Sequence, residues 1–584
     1  MALSKGTRLL LWITGLGALI FMAAAAAIGL IVLADLPSLD QDEVWVDMEL
    51  AGPISDGPRP DSVIVDPESI PLTVHDVAAT LHHIAKDENV AGIAVELNRP
   101  SMGLAQAAEI RDGLQAIVDS GKECTVWSKT YENLTWYLAS PCTLNLHPEG
   151  VPMAIGLKVS TTYYAGTLEK LGVSGDFERV GTYKSAIETY ENTGPSEPSI
   201  EMYETLLDSL DQAFVLAIAE GRKMDERDVR ALVDDPPVTA KTALDRGMVD
   251  ALSYKDEWED ALPEDRRSFR QAHQAVTSDW HGFGPEVAVV HLQGTIVDGS
   301  STSGGLFGGS AIGDDTVVQQ LEELQEDDGV VAVVLRIDSP GGSALASDVM
   351  WRAIQELDAE KPVVASMGGY AASGGYYMAM AARHIVAQPT TVTGSIGVFG
   401  GKMALGGLYE KMGITTWTSQ RGALANLYNT TQPFTDPERA KIRERIEAFY
   451  DTFVTKAADS RGMTWDELDA VAGGRVWTGY QASEVGLVDE LGGLELAIER
   501  ALEQVELEEG QHVGRRVLPR RSTLMEALLD GLNEQQVEAP ELVELEEVLG
   551  PELTAELEAA HRLDQVLSNS GGVAAMLPER VVVQ

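Results

Sequence analysis

The run Met367-Gly-Gly-Tyr-Ala-Ala-Ser-Gly-Gly-Tyr-Tyr377 follows an apolar stretch, 362–366, and reads as a strand turning sharply into a helix. Small residues on either side of Ser373 would leave its hydroxyl exposed above a sheet, where it could attack a carbonyl. Upstream, a strand over 330–337 ends at Asp338-Ser-Pro-Gly-Gly-Ser343 and opens into a helix, so glycine amides face outward at a helix N-terminus. Such amides can hold an oxyanion. A serine nucleophile needs a base. His291 and His384 both fall inside apolar strand patterns, the setting of structural histidines, which leaves Lys184, within Arg179-Val-Gly-Thr-Tyr-Lys-Ser-Ala-Ile-Glu188, as the other candidate.

The elements that must position these groups form a repeat. Residues 43–262 superpose on 286–505 at a shift near 240, with Val44-Trp-Val-Asp-Met-Glu-Leu50 falling on Val287-Ala-Val-Val-His-Leu-Gln293 and Gly247-Met-Val-Asp250 on Gly486-Leu-Val-Asp489. Each copy alternates short apolar strands with amphipathic helices, 105–118 and 344–357 among them, which predicts the α/β class with a mostly parallel sheet and crossover helices. The copies diverge where chemistry would sit. Ser101 and Met102 replace the Gly-Gly pair, Asn133 or Leu134 stands where Ser373 does, and Ala425 aligns with Lys184. One copy keeps a lysine without the serine and the other a serine without the lysine, so a single dyad would be shared between the halves. Residues 263–285 read as a linker and 506–584 as an acidic, helix-forming tail, a solvated face, whose basic cluster is Arg515, Arg516, Arg520 and Arg521.

Together with Thr393-Gly-Ser-Ile-Gly-Val-Phe-Gly400 and Val476-Trp-Thr-Gly-Tyr-Gln-Ala482, these motifs resemble the signal peptide peptidase A family in its long, two-repeat, membrane-anchored form. The resemblance implies tandem ClpP/crotonase-like domains and a Ser-Lys protease with Ser373 as nucleophile and Lys184 as base. It further implies that Ser395 orients the lysine amine and that amides at Gly341 or Gly342 and at Gly374 form the oxyanion hole. Signal peptides left in the membrane after preprotein processing, and other unfolded apolar peptides, are the implied substrates. A homo-oligomer, a tetramer in relatives, is the implied assembly; no cofactor or metal is implied. After Glu188 the chain departs from its relatives, reading Thr-Tyr-Glu-Asn-Thr-Gly.

Residues 9–34 carry no charge, and 26 helical residues at about 1.5 Å each exceed the roughly 30 Å hydrocarbon core of a bilayer. Lys5 and Arg8 precede the segment and Asp35, Asp40, Asp42 and Glu43 follow, so the positive-inside rule keeps 1–8 cytoplasmic. A single-pass anchor in the inner (cytoplasmic) membrane with an extracytoplasmic body is the expectation. The net charge of −48 repels phosphate backbones and excludes nucleic-acid binding as a main function. The two cysteines, Cys124 and Cys142, cannot frame a disulfide scaffold or a zinc module, but both fall on strands that could be neighbours and could form one bridge. Two rival functions use the same framework: an acyl-CoA enzyme of crotonase type, and a catalytically silent envelope scaffold that binds peptides or a partner protease.

Overall fold

A computed structural model describes residues 44–58, 71–280, 284–302, 310–508, 510–520 and 573–576. The expected anchor, 9–34, lies outside the described residues; within them no helix is long and apolar enough to cross a membrane. In the first copy, strands β1 (Val44–Pro53), β2 (Val90–Ser101), β3 (Glu123–Thr130) and β4 (Thr143–Val151) alternate with helices Val74–Lys86, Leu104–Asp119 and Asn133–Ala139. After β5 (Ser174–Val180) come β6 (Ala251–Leu252) and β7 (Arg266–Ser268). The sheet order is β6-β4-β3-β2-β1-β7, all pairs parallel.

The second copy repeats this. Its strands are β8 (Glu286–Gln293), β9 (Thr295–Val297), β10 (Ala311–Gly313), β11 (Val330–Ser339), β12 (Gly341–Ser343), β13 (Val363–Ala372), β14 (His384–Ala387), β15 (Val392–Gly394), β16 (Val398–Ala404), β17 (Val476–Thr478), β18 (Glu490–Leu491), β19 (Gly514–Leu518) and β20 (Val573–Met576). The order β18-β14-β13-β11-β8-β19 mirrors the first sheet. The duplication reaches single residues. Gly172 and Gly413 end matching helices in the left-handed conformation that glycine adopts at least cost, and each is followed by a 26-residue helix, Glu197–Arg222 and Asp436–Arg461. Each sheet buries its own apolar cluster, as continuous Val/Ile/Leu runs in a parallel sheet covered by helices require.

Three expectations are revised. Residues 263–285 are no bare linker: β7 extends the first sheet and helix Phe269–Trp280 buries Phe269 and Ala272 in that core. Nor is 506–584 wholly helical, since β19 joins the second sheet as the counterpart of β7 and β20 is a strand as well. The basic cluster is not merely a solvated face either, because Arg515 pairs with Glu495 at 2.6 Å and Arg516 with Glu286 at 2.7 Å. Periodicity detects an amphipathic element but not a partner far along the chain. Cys124 on β3 and Cys142 in the turn before β4 are disulfide-bonded.

A third sheet crosses the seam between copies. Its order is β10-β9-β12-β20-β16-β5, with β5 of the first copy antiparallel to β16 of the second over seven residues. The first copy's long helix adds Met202, Leu206 and Leu210 to a cluster with Ala372, Val392 and Val476.

Candidate active site

Ser373 lies between the end of β13 and helix Gly374–Ala379 with φ 56° and ψ −112°, a conformation costing about 1–3 kcal/mol for a residue with a side chain. Its backbone N–H donates to Gly394 O at 2.8 Å, which ties the turn to β15. Glycine is required beside it. A Cβ on Gly375 would stand 2.7 Å from Ser339 O, and one on Gly374 would stand 2.5 Å from Ser347 Oγ and 3.2 Å from Gly341 Cα. The Ser373 turn is thereby pressed onto the Gly341 loop.

Lys184 comes from the turn after β5 and crosses the seam. Its Nζ lies 2.8 Å from Ser373 Oγ, 3.0 Å from Ser395 O and 3.1 Å from Ser395 Oγ. A neutral amine has two N–H donors and one lone pair; the two Ser395 oxygens accept the donors and leave the lone pair for the Ser373 O–H. Lys184, Ser373 and Ser395 are each 0% exposed. Burial is the cause that holds the Lys184 amine well below the ordinary lysine range. Ser395 also has positive φ, 51°, and its N–H donates to Arg475 O at 2.7 Å.

Glu188, four residues after the lysine, would raise its pKa if it faced the amine. It turns away instead. Its carboxylate accepts from Arg179 Nη1 at 2.7 Å, from Ser196 Oγ at 2.7 Å and from Ser199 Oγ at 2.8 Å. Burial alone would raise the Glu188 pKa, but these donors hold it below the usual carboxylate range. Arg179 also donates to Lys184 O at 3.1 Å, bracing the lysine backbone.

Of the three expected oxyanion glycines, Gly341 already donates its N–H to Ser339 Oγ at 3.2 Å. Gly342 lies on β12, where a Cβ would stand 2.0 Å from Ile296 O, and Gly374 opens the helix behind Ser373. Neither histidine bonds to the serine. His291 Nε2 meets His75 Nδ1 at 3.0 Å in a buried cluster, and His384 sits 3.3 Å from Glu490. Sequence reading missed Gly473 and Gly474. Gly473 O accepts from Tyr183 N at 2.9 Å, and a Cβ on Gly474 would stand 2.5 Å from Lys184 N. The available signal was a Gly-Gly pair facing Asp234-Asp235 in the first copy.

At the corresponding first-copy position, Trp136 Nε1 donates to Met248 O as Tyr376 Oη donates to Leu487 O, which equates Asn133 with Ser373. Asn133 binds a loop: its Nδ2 donates to Gly156 O at 2.7 Å and its Oδ1 accepts from Ile155 N and Gly156 N. Ala425 matches Lys184 in backbone too. Lys184 N donates to Gly181 O and Ala425 N to Gly422 O, each glycine having positive φ.

The profile of peptidase family S49 matches this chain twice, over residues 116–267 and 355–508, and the Clp protease profile matches 308–392. Serine protease SPPA, chloroplastic, of Arabidopsis thaliana is 33% identical over 464 residues, covering 77% of this chain and 68% of the relative. Protease 4 of Salmonella typhi is 31% identical over 502 residues, covering 82% and 78%. Protease 4 of Haemophilus influenzae is 28% identical over 468 residues, covering 74% and 72%. With a ClpP-like α/β fold, a family domain present twice and such relatives along most of its length, this chain belongs to peptidase family S49 and is a serine protease.

Proposed function

We propose that the chain is a membrane-anchored endopeptidase with a Ser373–Lys184 dyad that degrades signal peptides left after preprotein processing. The observation that carries this reading is the buried Lys184 amine 2.8 Å from Ser373 Oγ, with Glu188 engaged elsewhere. A free lysine, with a pKa near 10.4, is neutral in only about one molecule in 2,500 at pH 7, and desolvation supplies the downshift a general base needs. Neutral Lys184 takes the Ser373 proton as Oγ bonds to the peptide carbonyl carbon. Amides of Gly342 and Gly374 receive the oxyanion, and the lysine passes its proton to the leaving amine as the C–N bond breaks. Water, deprotonated by the same amine, then releases the acyl-enzyme. Ser395 holds the amine in line.

The test is a serine-reactive phosphonate probe together with cleavage of an apolar signal-sequence peptide. Labelling and cleavage that both vanish in Ser373→Ala and Lys184→Ala are expected; cleavage at the parental rate in either variant would overturn the dyad, and absence of both in the parent would favour the silent scaffold. Anchoring rests on the uncharged run 9–34 and its flanking charges. A reporter fused after residue 40 is expected to be extracytoplasmic, and a cytoplasmic reporter overturns that placement. Assembly into a tetramer is supported by exposed apolar side chains at one matching place in the two copies, Leu171 and Met412, and by Ile155 and Trp417, exposed elsewhere on each copy. A monomer in light scattering of the detergent-solubilised full chain would refute it.

A further inference from the structure

The stretch 473–477, which leads into β17, touches both segments that carry the amine's surroundings. Gly473 O accepts from Tyr183 N at 2.9 Å, Gly474 N donates to Ile396 O at 2.7 Å, and Arg475 O accepts from Ser395 N at 2.7 Å. The lysine turn and the Ser395 turn are thus tied to one piece of chain. They are also packed tightly, since a Cβ on Gly397 would stand 2.8 Å from Gly474 Cα and 3.2 Å from Lys184 Cδ. The Arg475 side chain closes this arrangement from outside. Its guanidinium carbon lies over the Tyr183 ring and over the Trp477 ring, 4.8 Å from each centre. Its Nη1 donates to Glu201 Oε1 at 3.0 Å and its Nη2 to Thr205 Oγ1 at 3.2 Å, both on the first copy's long helix. Tyr183 Oη donates to the same carboxylate at 3.2 Å.

The first copy lacks this device. Thr239 and Thr478 cap matching helices, Ala240–Asp245 and Gly479–Glu484, which places Pro236 where Arg475 stands and an exposed Val238 where Trp477 stands. The cation and its ring occur in the copy that receives the lysine. Placement matters because a displacement of about 1 Å in a catalytic group costs on the order of 100-fold in rate. Among the described residues, the groups that meet the amine are the oxygens of Ser373 and Ser395. The charged neighbours are paired with one another, Arg179 with Glu188 on the lysine's own turn and Arg475 with Glu201 across the seam. Burial is what keeps the amine neutral, so a turn that swings open would admit water as well as misplace the base.

We infer that Arg475 is a positioning residue for the reaction: stacked on Tyr183 and anchored to Glu201, it clamps the lysine turn against the Ser395 turn and keeps the amine dry and in line with Ser373. The inference rests on the Ser373–Lys184 reading. Arg475 itself touches neither the serine nor the amine, and acts through the backbone of 183–184 and of 395.

The test is the pH dependence of kcat and KM for an apolar signal-sequence peptide, measured on the full chain in detergent. Arg475→Met is expected to lower kcat about ten-fold with KM unchanged, and to move the acidic limb of kcat/KM up by about half a pH unit or more. Arg475→Lys keeps the charge but cannot lie flat on two rings, so it should fall nearly as far. Tyr183→Leu combined with Arg475→Met should be little worse than either alone, because one side chain acts through the other. Glu201→Ala, at the exposed rim, leaves the core untouched and should move the limb the same way by less. Loss of that carboxylate would by charge alone move the limb down, so an upward shift reports water reaching the amine. A parent-like kcat and limb in Arg475→Met or Arg475→Lys, effects of Arg475→Met and Tyr183→Leu that multiply, or an unmoved limb in Glu201→Ala would each overturn the inference and leave the dyad standing. Cleavage at the parental rate in Ser373→Ala or Lys184→Ala would instead overturn the dyad itself.

Discussion

The two copies share strand order, closely similar helix lengths and even the positive-φ glycines before Lys184 and Ala425, yet the buried serine–lysine contact lies at their seam. Asn133 and Ser373 occupy equivalent turns, one binding a loop and the other held in a strained conformation against a buried amine. A parallel sheet supplies the turn twice, but the Ser373–Lys184 contact also needs β15, β17 and the turn after β5. Duplication provided two scaffolds, and divergence left a serine in one and a lysine in the other that meet at the seam.

The largest effect should come from separating the dyad. Ser373→Ala or Lys184→Ala is expected to lower kcat/KM for peptide cleavage by about 10,000-fold or more, with the double variant little worse, because members of one catalytic unit are not additive. Asn133→Ser in the Ser373→Ala background should restore nothing, since Ala425 supplies no base; recovered turnover would break the comparison. In the parent, kcat/KM should rise with pH through the depressed Lys184 pKa, giving an acidic limb far below the range of a free lysine.

Next in size is the buried cation at the seam. Arg336, on β11, donates to Asp56 at 2.6 Å and pairs with Glu109 at 2.5 Å, whereas the equivalent Glu96 on β2 meets Lys255 at a partly open rim. Arg336→Met leaves two buried carboxylates without their cation and should cost about 3–5 kcal/mol in chemical denaturation. Glu96→Gln should cost less than about 1 kcal/mol. Burial pushes the Glu109 carboxyl up to about 7, against the pull of Arg336. Its folded pKa exceeds its unfolded value of 4.5, so the unfolded state holds fewer protons between those values and Glu109 makes stability fall as pH rises from about 4.5 to about 7. Glu109→Gln should flatten that slope.

A smaller effect has the opposite sign for activity and stability. The folded-state pKa of Lys184 lies below its unfolded value, so the unfolded chain binds the extra proton and stability rises with pH between the two. Lys184→Met should therefore abolish cleavage while raising the melting temperature at neutral pH, with the gain shrinking as pH approaches 10; a fall at pH 7 would contradict the neutral-amine account. Smallest of all, Asn133→Ala should destabilise by about 1 kcal/mol through loss of its loop hydrogen bonds, leaving cleavage intact.

Much of this was legible in the residue order. Alternating apolar runs and helical periods marked the α/β class, and the shift near 240 exposed the duplication. The mismatch of Ser373 with Asn133 and of Lys184 with Ala425 singled out one serine and one lysine. These signals are local or arise from comparing one half with the other, so they survive without coordinates. What only the tertiary structure decided is how distant segments pair. Arg179 draws Glu188 away from the amine, β7 and β19 complete their sheets, Gly474 makes room for the Lys184 backbone, and β20 enters the gap between β12 and β16. Hydrogen bonds between strands join backbone groups that every residue carries, so no side-chain pattern announces the partner; closure of the chain in space chooses it.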